Sequence, residues 1–334
     1  MNTCTLSTRP RRSQIERGKR YIPETWLADI CVGARNLRKA FLFHTFRADG
    51  CAFVPASSRS RDSAARPGGG AVRPRNIGAV TSALESPRRI RAEIAIVLGL
   101  SLGASAVYSV VSIVNRLTRE EALSEQTATL NTSLSPRPTF DLIYQVLAVV
   151  FDLMPVALVV FLLWQASRPH LGRLGIDFTR PGRDALGGVA LVAAIGIPGL
   201  AVYLGGRALG ISVDVVPTAL DTYWWTIPVL LLSALRAGLT EEIIVIGYLY
   251  ARLGDLGWGR WKIIVGSALL RGSYHLYQGF GAFIGNFAMG VVFGWLYTRY
   301  GRLLPFVVAH FLLDAAIFVG YPWAAATFPE LFGS

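Results

Sequence analysis

Glu241 and Glu242 stand side by side in an otherwise apolar stretch, with Val229 to Leu235 before them and Ile243 to Leu249 after them. An ionisable side chain at membrane depth is disfavoured by roughly 2.5–3.5 kcal/mol or more, so it persists where a partner or a water-filled cavity receives it. Removing the loops leaves few such residues at apolar depth: Asp152, Arg236, Glu241, Glu242, Arg271, His275, His310 and Asp314. His310 and Asp314 are four apart and therefore share one face of a helix. His275 lies in the run Leu269 to Gln278, which also carries Arg271 and Tyr274. Three separate helices thus supply a carboxylate pair, one histidine, and a histidine with a carboxylate.

Two hydrolytic chemistries fit that set. Glu241 or Glu242 beside the imidazole of His275 can hold a water and take its proton, while His310 with Asp314 stabilises the developing oxyanion. Alternatively, Glu242, His275, His310 and Asp314 are nitrogen and oxygen ligands that Zn2+ or another divalent cation accepts, with a position left open for water. No nucleophile offers itself, because Ser273 is two residues from His275 and faces elsewhere on a helix. Each residue also has a plainer explanation. The glutamates suit the first turn of a helix, partnered by Arg236 or Arg271. His275 suits a hydrogen-bonded core position, His310 with Asp314 a structural pair, and Asp152 a bond across helices. Independent structural pairs would each need their own reason to lie deep in a membrane, and the conjunction favours chemistry.

The elements that must position these residues are helices long enough to cross a bilayer. At 52% hydrophobic residues and a mean hydropathy of +0.44, the 334-residue chain reads as an integral membrane protein. Apolar runs of the length a ~30 Å hydrocarbon core demands occur near 94–114, 142–164, 186–204, 224–250, 263–276, 283–297 and 303–321. The fourth is too long for one straight span, which predicts a break near Ala237 and Gly238 with Thr240 capping a helix that starts at Glu241. The expected fold is an all-α polytopic transmembrane bundle of seven to eight membrane helices. Gly281 with Gly285 and Gly290 with Gly294 predict close helix packing in the penultimate span.

Charge divides the chain. Of the 33 Lys and Arg, 18 precede Ala92 against 6 of the 21 acids, so the whole excess of +12 belongs to residues 1–91. That segment is rich in Arg, Ser, Gly and Pro, as in Ser57 to Arg75, and reads as a disordered tail ahead of a membrane domain at 92–334. The basic pI is a property of the tail and carries no nucleic-acid signature for the body. Cys4, Cys31 and Cys51 all lie in the tail without metal-type spacing. Nine Lys and Arg in the loops on the tail side against four on the other place the N-terminus in the cytoplasm.

The quoted motifs resemble those of the CPBP (CAAX protease and bacteriocin-processing) family of intramembrane peptidases. That family shows a double glutamate followed by an arginine, then a histidine four residues after an aromatic, then a histidine four before Asn or Asp. The matching elements here are Glu241 to Tyr248, Arg271 to His275 and His310 to Asp314, within residues 224–321. Ile246 occupies the usual arginine position, and Arg271 stands where an aromatic is expected. Arg271 is therefore expected to supply, from the neighbouring helix, the cation that position 246 lacks. The resemblance implies an endopeptidase of the cytoplasmic membrane of a bacterial-type cell. It would act on a membrane-tethered peptide among lipids by glutamate and histidine water activation, with or without a divalent metal. The competing expectations are a catalytically degenerate immunity or scaffold protein of the same fold, and a proton- or cation-coupled transporter.

Overall fold

The computed structural model describes residues 86–164 and 170–328, and the basic tail up to residue 85 lies outside the described residues. Helix α1 (Pro87–Gly99) starts where proline suits a first helical position, and the Ser86 hydroxyl accepts the amide of Arg89. Residues 87–91, read from composition as tail, are thus helical. After a 56° bend, α2 (Leu102–Leu117) continues the same path.

The all-α expectation meets one exception. Strand β1 (Thr127–Thr132) pairs in parallel with β2 (Asp214–Ala219), Thr127 facing Asp214 and Thr132 facing Ala219. Between the strands run α3 (Pro138–Asp152), α4 (Met154–Leu162) and the 28-residue α5 (Pro181–Ala208). Inward residues of the sheet pack on the helices. Ala128 and the neighbouring Val213 share a cluster with Leu276 and Tyr277, and Leu130 packs against the one formed by Leu230, Ala234 and Phe318.

The chain does not break at Ala237 and Gly238. Helix α6 (Thr226–Glu241) passes directly into a widened π-helical stretch, Glu242–Tyr248, and then into α7 (Leu249–Asp255). Gly238 serves close packing instead of a turn: a Cβ there would lie 3.2 Å from the Val307 carbonyl and 3.3 Å from the Phe311 amide. Thr240 caps nothing, and its buried hydroxyl has no hydrogen-bond partner. Three helices complete the bundle, α8 (Arg260–Tyr274), α9 (Phe280–Tyr300) and α10 (Leu304–Ala315), before a second π stretch and the short α11 (Tyr321–Thr327).

By length and apolar composition, four described helical paths can cross a membrane: 138–162, 181–208, 280–300 and 304–327. The bent pair α1 and α2 makes a fifth. The sequence-based figure of seven to eight also counts the path from α6 to α7 and helix α8, which carry the ionisable residues of interest. Many large apolar side chains point outward, among them Val107, Tyr108, Phe161, Leu186 and Ile197. The buried cluster gathers around the π stretch, where Ile243 to Tyr250 meet Phe293, Leu303, Phe306 and Val307. The bundle therefore has an apolar exterior as well as an apolar core, as a lipid-embedded protein requires.

Candidate active site

Every residue of Glu241 to Tyr250 is buried, so the side chains of this stretch face protein all round. In an α-helix Glu241 and Glu242 would diverge by about 100°. Both nevertheless find partners, because α8 and α10 flank them. Helix α10 packs on α6 and α5, and α8 packs on α9 and α2.

Glu242 is wholly enclosed, and its Oε1 accepts from Arg271 Nη2 at 2.6 Å and lies 2.7 Å from His310 Nδ1. Glu241 Oε2 accepts the hydroxyl of Tyr274 at 2.7 Å. Around that same oxygen stand Arg271 Nη1 at 3.6 Å, His275 Nε2 at 3.7 Å and His310 Nε2 at 3.9 Å. Asp314 Oδ2 is 3.6 Å from His310 Nε2. The structure thus brings Glu241, Glu242, His275, His310 and Asp314 into one cluster, together with Arg271. Separations of 3.6–3.9 Å exceed a direct hydrogen bond, so these groups face one another as close charge neighbours without being bonded.

Local structure explains the aim of each group. His275 is the residue at which α8 ends, with its amide bonded to the Gly272 carbonyl, and its ring lies 4.8 Å from that of Tyr274. Its side chain is 18% exposed, and neither ring nitrogen has a hydrogen-bond partner. Glu242 Oε2 is buried without a partner too. Unpaired buried polar atoms of this kind, gathered beside a carboxylate, are what a reacting water or a peptide carbonyl would engage.

The other two residues at apolar depth pair with each other outside this cluster. Arg236 Nη1 is 2.7 Å from Asp152 Oδ2, with both side chains substantially exposed. Sequence reasoning assigned no role to Tyr274. Its signal was spacing, since three residues after Arg271 on one helix it must present to the same neighbour.

The four residues expected to hold a metal do not share a centre. Glu242 sits on the Nδ1 side of His310 and Asp314 on the Nε2 side, and the two nitrogens of one imidazole point apart. Among the described residues, no group of three His, Cys, Asp or Glu is arranged to hold a metal ion. The Arg271 guanidinium already lies against both glutamates, where a cation would have to enter. As placed, Glu242, His275, His310 and Asp314 do not converge on one ion.

Together, fold and site describe a helical membrane protein with a polar centre buried among its helices. Residues 223–316 match the family model of type II CAAX prenyl endopeptidases, Rce1-like. The matched family is one of proteases, and its segment spans every member of the cluster from Glu241 to Asp314. No curated protein and no solved structure matches the chain.

Proposed function

We propose that this protein is an intramembrane endopeptidase that activates water with Glu241 and His275. The observation that carries the reading is the meeting of Glu241 with both histidines, from three helices, around Glu241 Oε2. Glu241 takes a proton from a water held beside it and His275, and the water oxygen attacks the peptide carbonyl carbon. The carbonyl oxygen gains negative charge and is met by a ring N–H of His275, whose nitrogens are otherwise unengaged. Collapse of the tetrahedral intermediate breaks the C–N bond, and the leaving amine receives the proton that Glu241 holds. Glu242 and His310 act as the rigid side of the centre, the first held by Arg271 and the second flanked by Asp314. No step needs a metal ion.

The same reading counts the path from α6 to α7 and helix α8 as crossings, and keeps the N-terminal side in the cytoplasm by the loop-charge bias. The substrate is a peptide tethered to or lying in the bilayer, because the centre sits among helices with lipid-facing sides.

Reconstituted protein is expected to process a fluorogenic membrane-tethered peptide, and Glu241→Gln or His275→Ala should lower kcat by about 10²–10⁴-fold, the usual range for losing a general base or acid. A chelator should leave the wild-type rate unchanged. Full processing in both variants would reject the peptidase, and chelator inhibition reversed by added Zn2+ would reject the metal-free mechanism.

A further inference from the structure

Arg271 is one of the largest fully buried side chains in the described structure, with no accessible surface at all. A guanidinium in that position is costly unless charge and hydrogen bonds compensate it, at several kcal/mol for an unpaired ion. Its compensation is the glutamate pair. Nη2 donates to Glu242 Oε1 at 2.6 Å, and Nη1 lies 3.6 Å from Glu241 Oε2. A planar fork can address two adjacent carboxylates from one side, which a single ammonium cannot do with the same geometry.

The site is built to admit this side chain from α8. On α9, Gly290 faces the stem of Arg271. A Cβ there would lie 3.3 Å from Arg271 Cδ and 2.9 Å from the Ala268 backbone. The ring of Phe293 lies 5.8 Å from the guanidinium carbon. On the glutamates' own strand of helix, position 246 holds Ile246, which is buried among apolar neighbours.

We infer that Arg271 is the positioning residue of the glutamate pair, a cation supplied across the helix interface by α8 to fix both carboxylates for the reaction. The inference rests on the peptidase reading for its kinetic consequence but not for its placement. A displacement of about 1 Å at a reacting group can cost about 10²-fold in rate, which sets the size of effect expected when the anchor is lost.

The test uses full-length protein in proteoliposomes as wild type, Arg271→Lys, Arg271→Leu, Glu242→Gln and the Arg271→Leu/Glu242→Gln double variant. With the tethered peptide, Arg271→Leu should lower kcat by about 10²-fold while KM stays within about threefold, as expected when orientation and not binding is lost. Arg271→Lys should retain part of the rate, and non-denaturing guanidinium should return part of it to Arg271→Leu. Thermal unfolding gives an arm independent of activity. Arg271→Leu should lower the melting temperature strongly when Glu242 is present and far less when it is Gln, because the two side chains are coupled. Wild-type kcat in Arg271→Leu, or equal melting losses with and without Glu242, overturns the inference. Should Arg271→Leu fail to fold, folding of the double variant supports the pairing, and failure of both overturns it. A wild type that processes peptide no better than Glu241→Gln removes the peptidase reading, and the unfolding arm then decides the place of Arg271.

Discussion

Tyr274 shows how a single hydroxyl can tune this centre. Its bond to Glu241 is buried and runs to a carboxylate, a class of hydrogen bond that contributes about 1.5–3 kcal/mol. Tyr274→Phe keeps the ring beside His275 and deletes only the donor. It is expected to lower kcat about tenfold and stability by an amount of that order, read from peptide processing and from thermal unfolding of the same preparation. Unaltered kinetics would mean that Arg271 and the two histidines hold Glu241 without the hydroxyl. Most of the cluster could be read from residue types, because carboxylates and imidazoles inside apolar runs have few innocent explanations. Tyr274 could not, since tyrosine is at home in a membrane helix and its partner lies 33 positions away in the chain.

The helices hold these groups through close approaches that depend on small residues. Gly238 lets α6 touch the backbone of α10 one residue from His310. Gly238→Val would press against the Val307 carbonyl and the Phe311 amide, atoms that cannot swing aside. Overpacking of this kind costs about 1–3 kcal/mol, and here it would also draw His310 from Glu242. Loss of both stability and processing is expected, measured by melting temperature and turnover in one preparation; normal turnover would show that α10 can shift without harm. Glycine at 238 looked like a helix breaker in the sequence because breaking and close packing call for the same absent side chain. The strands were hidden for another reason. Thr127–Thr132 alternates over only two apolar residues, Ala128 and Leu130, and Pro217 interrupts β2, so neither segment is long or apolar enough to stand out as a strand among the apolar helical runs.

At the scale of the bundle, polar ties fasten the helices away from the centre. Glu93 on α1 accepts from Arg252 at 2.7 Å and from Tyr248 at 3.0 Å, tying the first described helix to the end of the π stretch. Arg302, in the turn between α9 and α10, donates to Asp184 at 2.8 Å and to Asp177 at 3.0 Å. Beside it Gly175, at φ +73°, lets its carbonyl accept the Leu303 amide where any side chain would strike the Gly301 carbonyl. Hydrogen bonds from Arg302 and Thr179 hold the Asp177 carboxyl well below the usual carboxylate range, and Asp184 and Asp177 raise Arg302 above its own. A lowered native value means that the folded state prefers the ionised carboxylate. The contribution of Asp177 is therefore complete above about pH 4, the ordinary range of the free group, and is lost as the pH falls through its lowered native value. Asp177→Asn is expected to melt earlier than wild type at neutral pH, with the gap closing on acidification. A gap that is independent of pH would show that the charge of Asp177 does not matter. These ties pair residues far apart in sequence, which no local pattern announces.

The widened turn at Glu242–Tyr248 amounts to one surplus residue threaded into a helix that otherwise keeps its ordinary pitch. Dropping a single amino acid from this stretch would let the coil close up with little disturbance to α6 or α7, yet it would swivel one relative to the other by about 100°. The glutamates and the residues that anchor α7 to Glu93 could then no longer both face their partners. A sequence one residue shorter at this point would keep the bundle and lose its centre.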